Sequence, residues 1–294
     1  MKRTPHFRGS FRGVFLFLLI LAAVIAGCIR WTATNKPLPE GQLEIHFLDV
    51  GQGDASFIVT PNGCALIDTG EADAAQSVYF AINSYGNHLD YLIISHAHTD
   101  HMGGAAYILE KMSVDTVVLP RTGSFGQSYV QFLDAVSESG ASVLFADPGL
   151  QFSLGDARFT VLAPLLDYEN ENDTSAVIRL DFGEVSALFT GDAERESELD
   201  QTVQYGTRRG GKLDVDILKV PHHGSDTSSS IGYLKAVTPE IAVISCGRDN
   251  AYGHPHTEVL TRLKALAGRV LRTDEDGTVI LVTDGETVVE KEQK

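Results

Sequence analysis

Residues 95–101 read Ser95-His96-Ala97-His98-Thr99-Asp100-His101, and this stretch is the strongest signal in the sequence. It places three of the ten histidines of the chain and one carboxylate within six residues. It follows an apolar strand predicted at Tyr91–Ser95 and precedes a helix predicted at Gly103–Met112. In an extended segment the first two histidines point to the same side. Imidazole and carboxylate ligands suit Zn²⁺, Mn²⁺ or Fe²⁺, so the stretch predicts a metal site.

The chain around this stretch alternates short apolar strands with turns and amphipathic helices from Gln42 onward. No linker-like break interrupts this pattern as far as Glu290. Two strand-rich halves with helices between them favour two sheets packed face to face and covered outside by helices. We therefore predict a single α+β domain over residues 42–294.

The first 41 residues predict export and anchoring. Four basic residues precede an apolar run, Val14–Ala26, which is short for a membrane-spanning helix and typical of a signal peptide. The run ends in Ile25-Ala26-Gly27-Cys28, which resembles a bacterial lipobox. We predict a signal peptide over residues 1–27, a lipidated Cys28 and a membrane tether over residues 28–41. An uncleaved anchor helix is the alternative, and either places the domain outside the cytoplasm.

The charge of the chain restricts its partners. The formal net charge is −16, and cleavage before Cys28 would remove four cations and no anions. Such a surface repels polyanions at long range. A protein that grips the DNA backbone should be basic, so this function class is disfavoured. A phosphate-bearing substrate would have to be captured locally, by metal ions.

The histidine-rich stretch resembles the His-x-His-x-Asp-His pattern of the metallo-β-lactamase superfamily. The resemblance continues in order with Asp68 at a strand end, Asp192 in Thr-Gly-Asp-Ala-Glu and His222 in Val-Pro-His-His-Gly-Ser. It implies a four-layer αββα sandwich that binds two divalent metal ions, Zn²⁺ or Mn²⁺. The metal ligands that it implies are His96, His98, Asp100, His101, Asp192 and His222. Three carboxylates are expected to support the ligands from behind, namely Asp68, Asp49 and Asp54.

One departure from the superfamily pattern concerns the first metal. Many members supply a further histidine between the first cluster and the bridging aspartate, but this chain has none between His101 and Asp192. The first metal would then be held only by His96, His98 and Asp192. An open coordination position of this kind is what a catalytic site needs. Asn172, near the place of the missing ligand, is expected to shape the pocket.

A closer resemblance narrows the family. The stretch Phe47–Ala55, the segment Asn172–Ser175 and the segment Ser245–His256 are similar to the soluble domain of ComEC-type competence proteins and to bacterial phosphorylcholine esterases. The chain has no long apolar run after Cys28, so the role of the competence proteins as a DNA channel does not carry over.

The favoured function is a metal-dependent phosphodiesterase, in which Asp192 and a hydroxide bridge the two metals. The substrate would be DNA or a phosphocholine ester, with no obligate protein partner. The residues expected to act on protons are Asp100, His223 and His254. The residues expected to line the substrate pocket are Asn172, Ser175, Arg248, Tyr252 and His256. Two alternatives stay open: a hydrolase of a lactone, thioester or β-lactam, and a non-catalytic, competence-related DNA-binding lipoprotein.

Overall fold

The computed structural model describes residues 38–121, 126–206 and 210–292. The predicted signal peptide, Cys28 and the tether up to residue 37 lie outside the described residues. Within the described ranges, no helix has the length and apolar character needed to cross a membrane.

Two mixed β-sheets form the centre of the protein. The first has the order β15-β14-β1-β2-β3-β4-β5-β6 and the second has the order β13-β12-β11-β10-β9-β8-β7. The strands of the first sheet are β1 (Leu43–Phe47), β2 (Ser56–Thr60), β3 (Gly63–Ile67), β4 (His88–Ile93), β5 (Ser113–Leu119), β6 (Ser142–Phe145), β14 (Val279–Thr283) and β15 (Val288–Glu290). The strands of the second sheet are β7 (Gln151–Leu154), β8 (Ala157–Ala163), β9 (Val177–Phe182), β10 (Val185–Phe189), β11 (Ile217–Lys219), β12 (Ile241–Ile244) and β13 (Arg269–Arg272).

Helices cover the outer faces of both sheets. The α-helices are α1 (Ala75–Asn83), α2 (Thr99–Met102), α3 (Ala105–Lys111), α4 (Gln127–Ser139), α5 (Arg195–Tyr205), α6 (Ile231–Val237), α7 (Thr257–Leu266) and α8 (Thr273–Asp276). Buried side chains of α1, α3 and α4 pack against the first sheet. Those of α6 and α7 pack against the second sheet.

The alternation of side chains along each strand explains the layers. In β1, Leu43, Ile45 and Phe47 point into the core between the sheets. In β3, Ala65 and Ile67 join this core, whereas Leu66 packs against the helices outside. Because both faces of the central strands are covered by apolar side chains, the four-layer αββα sandwich predicted from the sequence is confirmed.

The parallel parts of the two sheets position the functional loops. Strands β3, β4 and β5 are parallel neighbours in the first sheet, and β10, β11 and β12 are parallel neighbours in the second. The carboxyl ends of parallel neighbours meet at one edge of a sheet, where α/β proteins gather their binding residues. The loops that carry the predicted ligands leave these ends.

One local difference from the sequence prediction affects the site. The helix predicted at Gly103–Met112 is observed as α3, and a further short helix, α2, precedes it and begins at Thr99, directly after the extended His98. Asp100 and His101 therefore lie on a first helical turn. Because the backbone changes direction there, these two side chains approach the site from a different side than His96 and His98 do.

Candidate metal centre

Loops at the carboxyl ends of four strands meet at the candidate site. Asp68 follows β3, the stretch Ser95–His101 follows β4, Asp192 follows β10, and the adjacent His222 and His223 follow β11. The first two loops belong to the first sheet and the last two to the second sheet. The site therefore joins the two halves of the sandwich.

A first group of ligand atoms comes from His96, His98 and Asp192, all within 4.8 Å of one another. His96 is fully buried, and its Nε2 lies 3.0 Å from Nδ1 of His98. The other ring nitrogens have partners of their own, since Nδ1 of His96 lies 3.1 Å from the Ser95 hydroxyl and Nε2 of His98 lies 3.4 Å from Glu171. Two facing imidazole nitrogens suit a shared cation.

A second group comes from Asp100, His101, Asp192 and His223, again within 4.8 Å of one another. Nε2 of His101 lies 3.1 Å from Asp192 Oδ1, and Nε2 of His223 lies 3.2 Å from Asp100 Oδ2. Two imidazoles and two carboxylates form a donor set typical of Zn²⁺ or Mn²⁺.

Asp192 belongs to both groups. Burial raises the pKa of this carboxyl, but His101 and His223 outweigh that effect and hold the pKa well below its ordinary value. The backbone N–H of Asp192 donates to Ser175 Oγ at 3.1 Å, which fixes the loop. A charged carboxylate common to both groups is the arrangement expected of a residue that bridges two cations.

Unpaired polar atoms indicate that the site fits a metal. Nε2 of His101 and Oδ1 of Asp192 are buried and lie 3.1 Å apart, but neither makes a hydrogen bond of good geometry with any described residue. Buried polar atoms almost always have a bonding partner, and a bound cation would supply one for these two atoms. Burial lowers the pKa of His101. The neighbouring carboxylates of Asp192, Asp68 and Asp100 outweigh this effect and raise the pKa of His101 well above its ordinary value. The site therefore strongly favours positive charge.

Hydrogen bonds behind the ligands orient two of the histidines. Nδ1–H of His101 donates to Asp68 Oδ2 at 2.9 Å, and Nδ1–H of His223 donates to the carbonyl of Ser245 at 2.9 Å. Both bonds leave the Nε2 lone pair facing the site, as metal-binding imidazoles require. Asp68 also accepts the backbone N–H and the hydroxyl of Ser95, both at 2.8 Å. It thus lies where the sequence analysis expected it, behind a ligand.

The structure places the adjacent His222 and His223 differently from the sequence prediction. His223, expected to act on protons, is buried and completes the second group, whereas His222, expected to be the ligand, does not belong to that group. Nδ1 of His222 lies 3.0 Å from Glu194, and its Nε2 lies 3.7 Å from Asp192. Both residues have left-handed backbone conformations, with φ of 49° and 52°. This tight turn sends the two side chains in different directions.

A pocket of about 400 Å³ opens over the two groups. Of the predicted pocket residues, Asn172 and Tyr252 line it, and the predicted proton-transfer residue His254 does so too. Burial, with His223 and His222, lowers the pKa of His254 to about 4. Its imidazole is therefore neutral at pH 7, and bound cations would lower the pKa further. His254 is thus poorly suited to the predicted role of proton donor.

Three predicted pocket residues lie elsewhere. Ser175 is fully buried and accepts the backbone N–H of Asp192 beneath the site. Arg248 donates to the carbonyl of Asp274, at 3.1 and 3.0 Å, and does not line the pocket. His256 immediately precedes α7, and its Nδ1 accepts the backbone N–H of Asp226 at 2.9 Å. The structure therefore brings none of these three side chains to the wall of the pocket over the two groups.

The two other carboxylates expected behind the ligands have different outcomes. Asp54 is buried, and its oxygens lie 3.3 Å from Nδ1 of His223 and 3.7 Å from Nδ1 of His101, as a supporting residue should. Asp49 is exposed, and its carboxylate accepts the backbone N–H of Gly51. The structure therefore places Asp49 in a surface turn and not behind a ligand.

Sequence reasoning missed Glu194 and Lys219. Glu194 contacts Nδ1 of His222 and accepts the side-chain amide of Asn172 at 2.9 Å. Its place two residues after Asp192 was a usable signal, because it continues the same loop. Lys219 is buried and forms an ion pair with Asp54. A lysine inside the apolar strand β11 was the signal for that contact.

Three curated relatives match most of this chain. The ComE operon protein 3 of Bacillus subtilis is 32% identical over 263 residues, which cover 83% of this chain and 33% of that protein. The recombination protein 2 of Haemophilus influenzae is 34% identical, with coverage of 83% and 29%. The competence protein ComA of Neisseria gonorrhoeae is 33% identical, with coverage of 87% and 34%. The chain thus spans about a third of the length of these relatives.

Two solved structures share the fold. The metallo-beta-lactamase fold protein YhfI from Bacillus subtilis has a TM-score of 0.54 at 12% identity, and the match covers 82% of this chain and 99% of that one. Igni18, a metallo hydrolase from Ignicoccus hospitalis, has a TM-score of 0.53 at 13% identity, with coverage of 85% and 100%. The sequence profile of the metallo-beta-lactamase superfamily matches residues 48–248. With this match and the site described above, the chain belongs to the metallo-beta-lactamase superfamily, and its homologues are of the ComEC type.

Proposed function

We propose that the protein is a phosphodiesterase that uses two divalent cations, Zn²⁺ or Mn²⁺. The observation that carries the proposal is the double membership of Asp192 in two groups of ligand atoms that have no other common residue. A two-metal site of this kind suits in-line displacement at a phosphodiester, with the cations about 3.5–4 Å apart. Clusters of metal ligands in a metallo-beta-lactamase fold fit a metal-dependent hydrolase.

The ligand residues divide between the two cations. His96 and His98 would hold the first cation, Asp100, His101 and His223 would hold the second, and Asp192 would contact both. With only His96, His98 and Asp192 from the protein, the first site would leave room for water or substrate, as catalytic sites do. His222 is a candidate for a further ligand, because its Nε2 lies 3.7 Å from Oδ2 of Asp192.

Two side chains are assigned to the reaction itself. When bound, the cations would activate a water molecule and offset the charge that develops on the phosphate. Burial raises the pKa of Asp100, but His101 and His223 outweigh burial and hold the pKa well below its ordinary value. Because this charged carboxylate is 24% exposed and lines the pocket, we assign it the orientation of that water through a hydrogen bond that it accepts. The neutral imidazole of His254 also lines the pocket. We assign it the binding of a phosphate oxygen through its N–H.

The substrate class rests on similarity and charge. The relatives are named as competence and recombination proteins, which favours a nucleic-acid phosphodiester. A net charge of −16 disfavours long-range attraction of a duplex, so the substrate would be a single strand, a short fragment or a phosphocholine ester captured at the cations. A lactone, thioester or β-lactam substrate would use the same cations without phosphate selectivity.

The test is hydrolysis by the purified full-length chain loaded with Mn²⁺ or Zn²⁺. We expect cleavage of bis(p-nitrophenyl) phosphate, and the parallel substrates are single-stranded DNA, duplex DNA, a phosphocholine ester, a lactone and a β-lactam. Asp192→Asn and His98→Ala should reduce turnover below detection while the fold survives. Asp49→Asn is the matched control, because this carboxylate lies in an exposed turn.

Two results would reject the proposal. Full phosphodiesterase activity in Asp192→Asn would remove the site from the reaction. Bound metal without turnover on any substrate of the panel would instead favour a tethered binding protein.

We further propose that lipidated Cys28 anchors the protein to the outer side of the membrane. The Ile-Ala-Gly-Cys sequence after a basic and an apolar segment supports this. Mass spectrometry of the mature protein should find an N-terminal diacylglyceryl cysteine at position 28. An intact Met1 would contradict cleavage and favour a retained anchor helix.

A further inference from the structure

Lys219 is a buried cation that the proposed reaction does not use. It is 2% exposed and ends strand β11 of the second sheet. Ile217, two residues earlier, belongs to the core between the sheets, so Lys219 lies on the same face of the strand. Its ammonium forms an ion pair with Asp54 and lies 3.3 Å from the carbonyl of Gly191, the residue before Asp192.

Asp54 connects this lysine to the second metal group. It lies in the loop between β1 and β2, in the first sheet, and its backbone N–H donates to the carbonyl of Asp100 at 3.0 Å. Its carboxylate lies 3.3 Å from Nδ1 of His223 and 3.7 Å from Nδ1 of His101. These two histidines come from different sheets, so the Asp54–Lys219 pair crosses the sandwich at the point where the second group is assembled.

The positive charge of Lys219 also lies beside a group of side chains that could otherwise bind a metal ion. Asp54, Asp68 and His101 form a further group of ligand atoms within 4.8 Å of one another, and all three residues are buried. A lysine ammonium is covalently fixed, so it neutralises Asp54 whether or not metal is bound. Of the carboxylates near His101, Asp54 is therefore already paired with a cation that the protein itself supplies.

A buried ion pair is a poor source of stability, because the desolvation of both charges offsets their attraction. Replacing such a pair with neutral side chains of similar volume is often harmless to the fold. The Asp54–Lys219 pair instead contacts His101, His223 and the loop that carries Asp192.

We propose that the Asp54–Lys219 pair is a positioning device that fixes the separation of the two sheets at the second group, and thereby sets the affinity of that group for a divalent cation. Both are positioning residues, since neither lines the pocket. The inference rests on the proposed two-metal function but concerns metal binding, not the substrate.

The test is a titration of the metal-free full-length chain with Co²⁺, followed by its absorption spectrum and by calorimetry. The variant is Asp54→Asn/Lys219→Met, which removes both charges and leaves the net charge unchanged. We expect one of the two Co²⁺ equivalents to bind about 10–100-fold more weakly, the usual effect of losing a residue that orients metal ligands. The other equivalent and the melting temperature of the metal-free protein should stay close to those of the native chain.

The matched control is Glu44→Gln/Lys291→Met, which removes an ion pair between two residues that are far apart in the sequence. Glu44 is buried and accepts from Lys291 at 2.7 Å, and neither residue belongs to the candidate metal groups. Both Co²⁺ equivalents should bind to this control as they do to the native chain.

Three results would overturn the inference. Native affinity for both equivalents in the Asp54/Lys219 variant would show that the pair does not position ligands. Equal weakening of both equivalents together with a lower melting temperature would show a general structural role. If the native chain binds no Co²⁺, the two-metal function is rejected as well. If the native chain binds two equivalents of Co²⁺ and the variant binds both with native affinity, only the inference about the Asp54–Lys219 pair fails.

Discussion

At the scale of single residues, Glu194 determines how His222 faces the site. Its Oε1 lies 3.0 Å from Nδ1 of His222 and accepts the side-chain amide of Asn172, and its Oε2 accepts the side-chain amide of Asn170. A carboxylate that accepts the Nδ1–H of a histidine fixes the ring and keeps its Nε2 available.

We predict a graded effect of substitution at Glu194. Glu194→Gln keeps an acceptor for His222 and should retain most activity, whereas Glu194→Ala should lower kcat/KM by about 10–100-fold. Steady-state kinetics on bis(p-nitrophenyl) phosphate measures both. Equal activity of the alanine and native proteins would remove Glu194 from the site.

Single residues also mark the limit of what the sequence could predict. The spacing of His96, His98, Asp100 and His101 was sufficient, because side-chain direction follows from an extended segment and a helical turn. The assignments of His222 and His223 could not be made in this way. Their directions depend on two left-handed residues in a turn, which no side-chain pattern specifies.

At the scale of structural elements, the turn Pro221–Gly224 places His223 in the second group of metal-ligand atoms. Gly224 has φ of +79°, and a Cβ built on it would lie 2.6 Å from Cβ of Pro255. Gly140 is a useful comparison, since it has a similar φ of +74° but open space around its Cβ position.

We predict that Gly224→Ala destabilises the protein by about 1–3 kcal/mol and weakens metal binding, because the turn must shift. Gly140→Ala should lower the free energy of unfolding less and leave metal binding unchanged. Urea denaturation with and without Zn²⁺ measures both effects. The same loss of metal affinity in the two variants would contradict a local role of the turn.

Most elements were predictable because their apolar patterns were regular. The strand predicted at Tyr91–Ser95 is observed as β4 and the helix predicted at Gly103–Met112 is observed as α3, each within three residues of the predicted bounds. Strand β7 was missed, because only Phe152 and Leu154 in it are buried and Gln151 and Ser153 are exposed. Its partner β8 supplies the pairing that the short pattern does not reveal.

At the scale of the whole molecule, Glu44 links the first sheet to the C-terminal segment. Burial raises its pKa, but the hydrogen bond from His46 and the contact with Lys291 outweigh burial and lower the pKa to about 2. The folded-state pKa thus lies below the ordinary value of 4.5. The stability from this carboxylate is present above pH 4.5 and is lost as the pH falls towards 2.

We therefore predict that Glu44→Gln lowers the free energy of unfolding at pH 7 by about 1–3 kcal/mol and has a smaller effect near pH 2. Urea denaturation of both proteins from pH 7 to pH 2 measures the difference. A difference that does not change with pH would show that the charge of Glu44 contributes nothing.

In the proposed site, ligands from both halves of the sandwich bind two cations, and Asp192 contacts both. Crystallography of the Zn²⁺-loaded protein, with anomalous data at the zinc edge, tests it most directly. We expect two peaks about 3.5–4 Å apart, with Asp192 bound to both, His96 and His98 on one, and Asp100, His101 and His223 on the other. A single peak, or peaks only at a surface group such as His88, Asp90 and Asp115, would contradict the account.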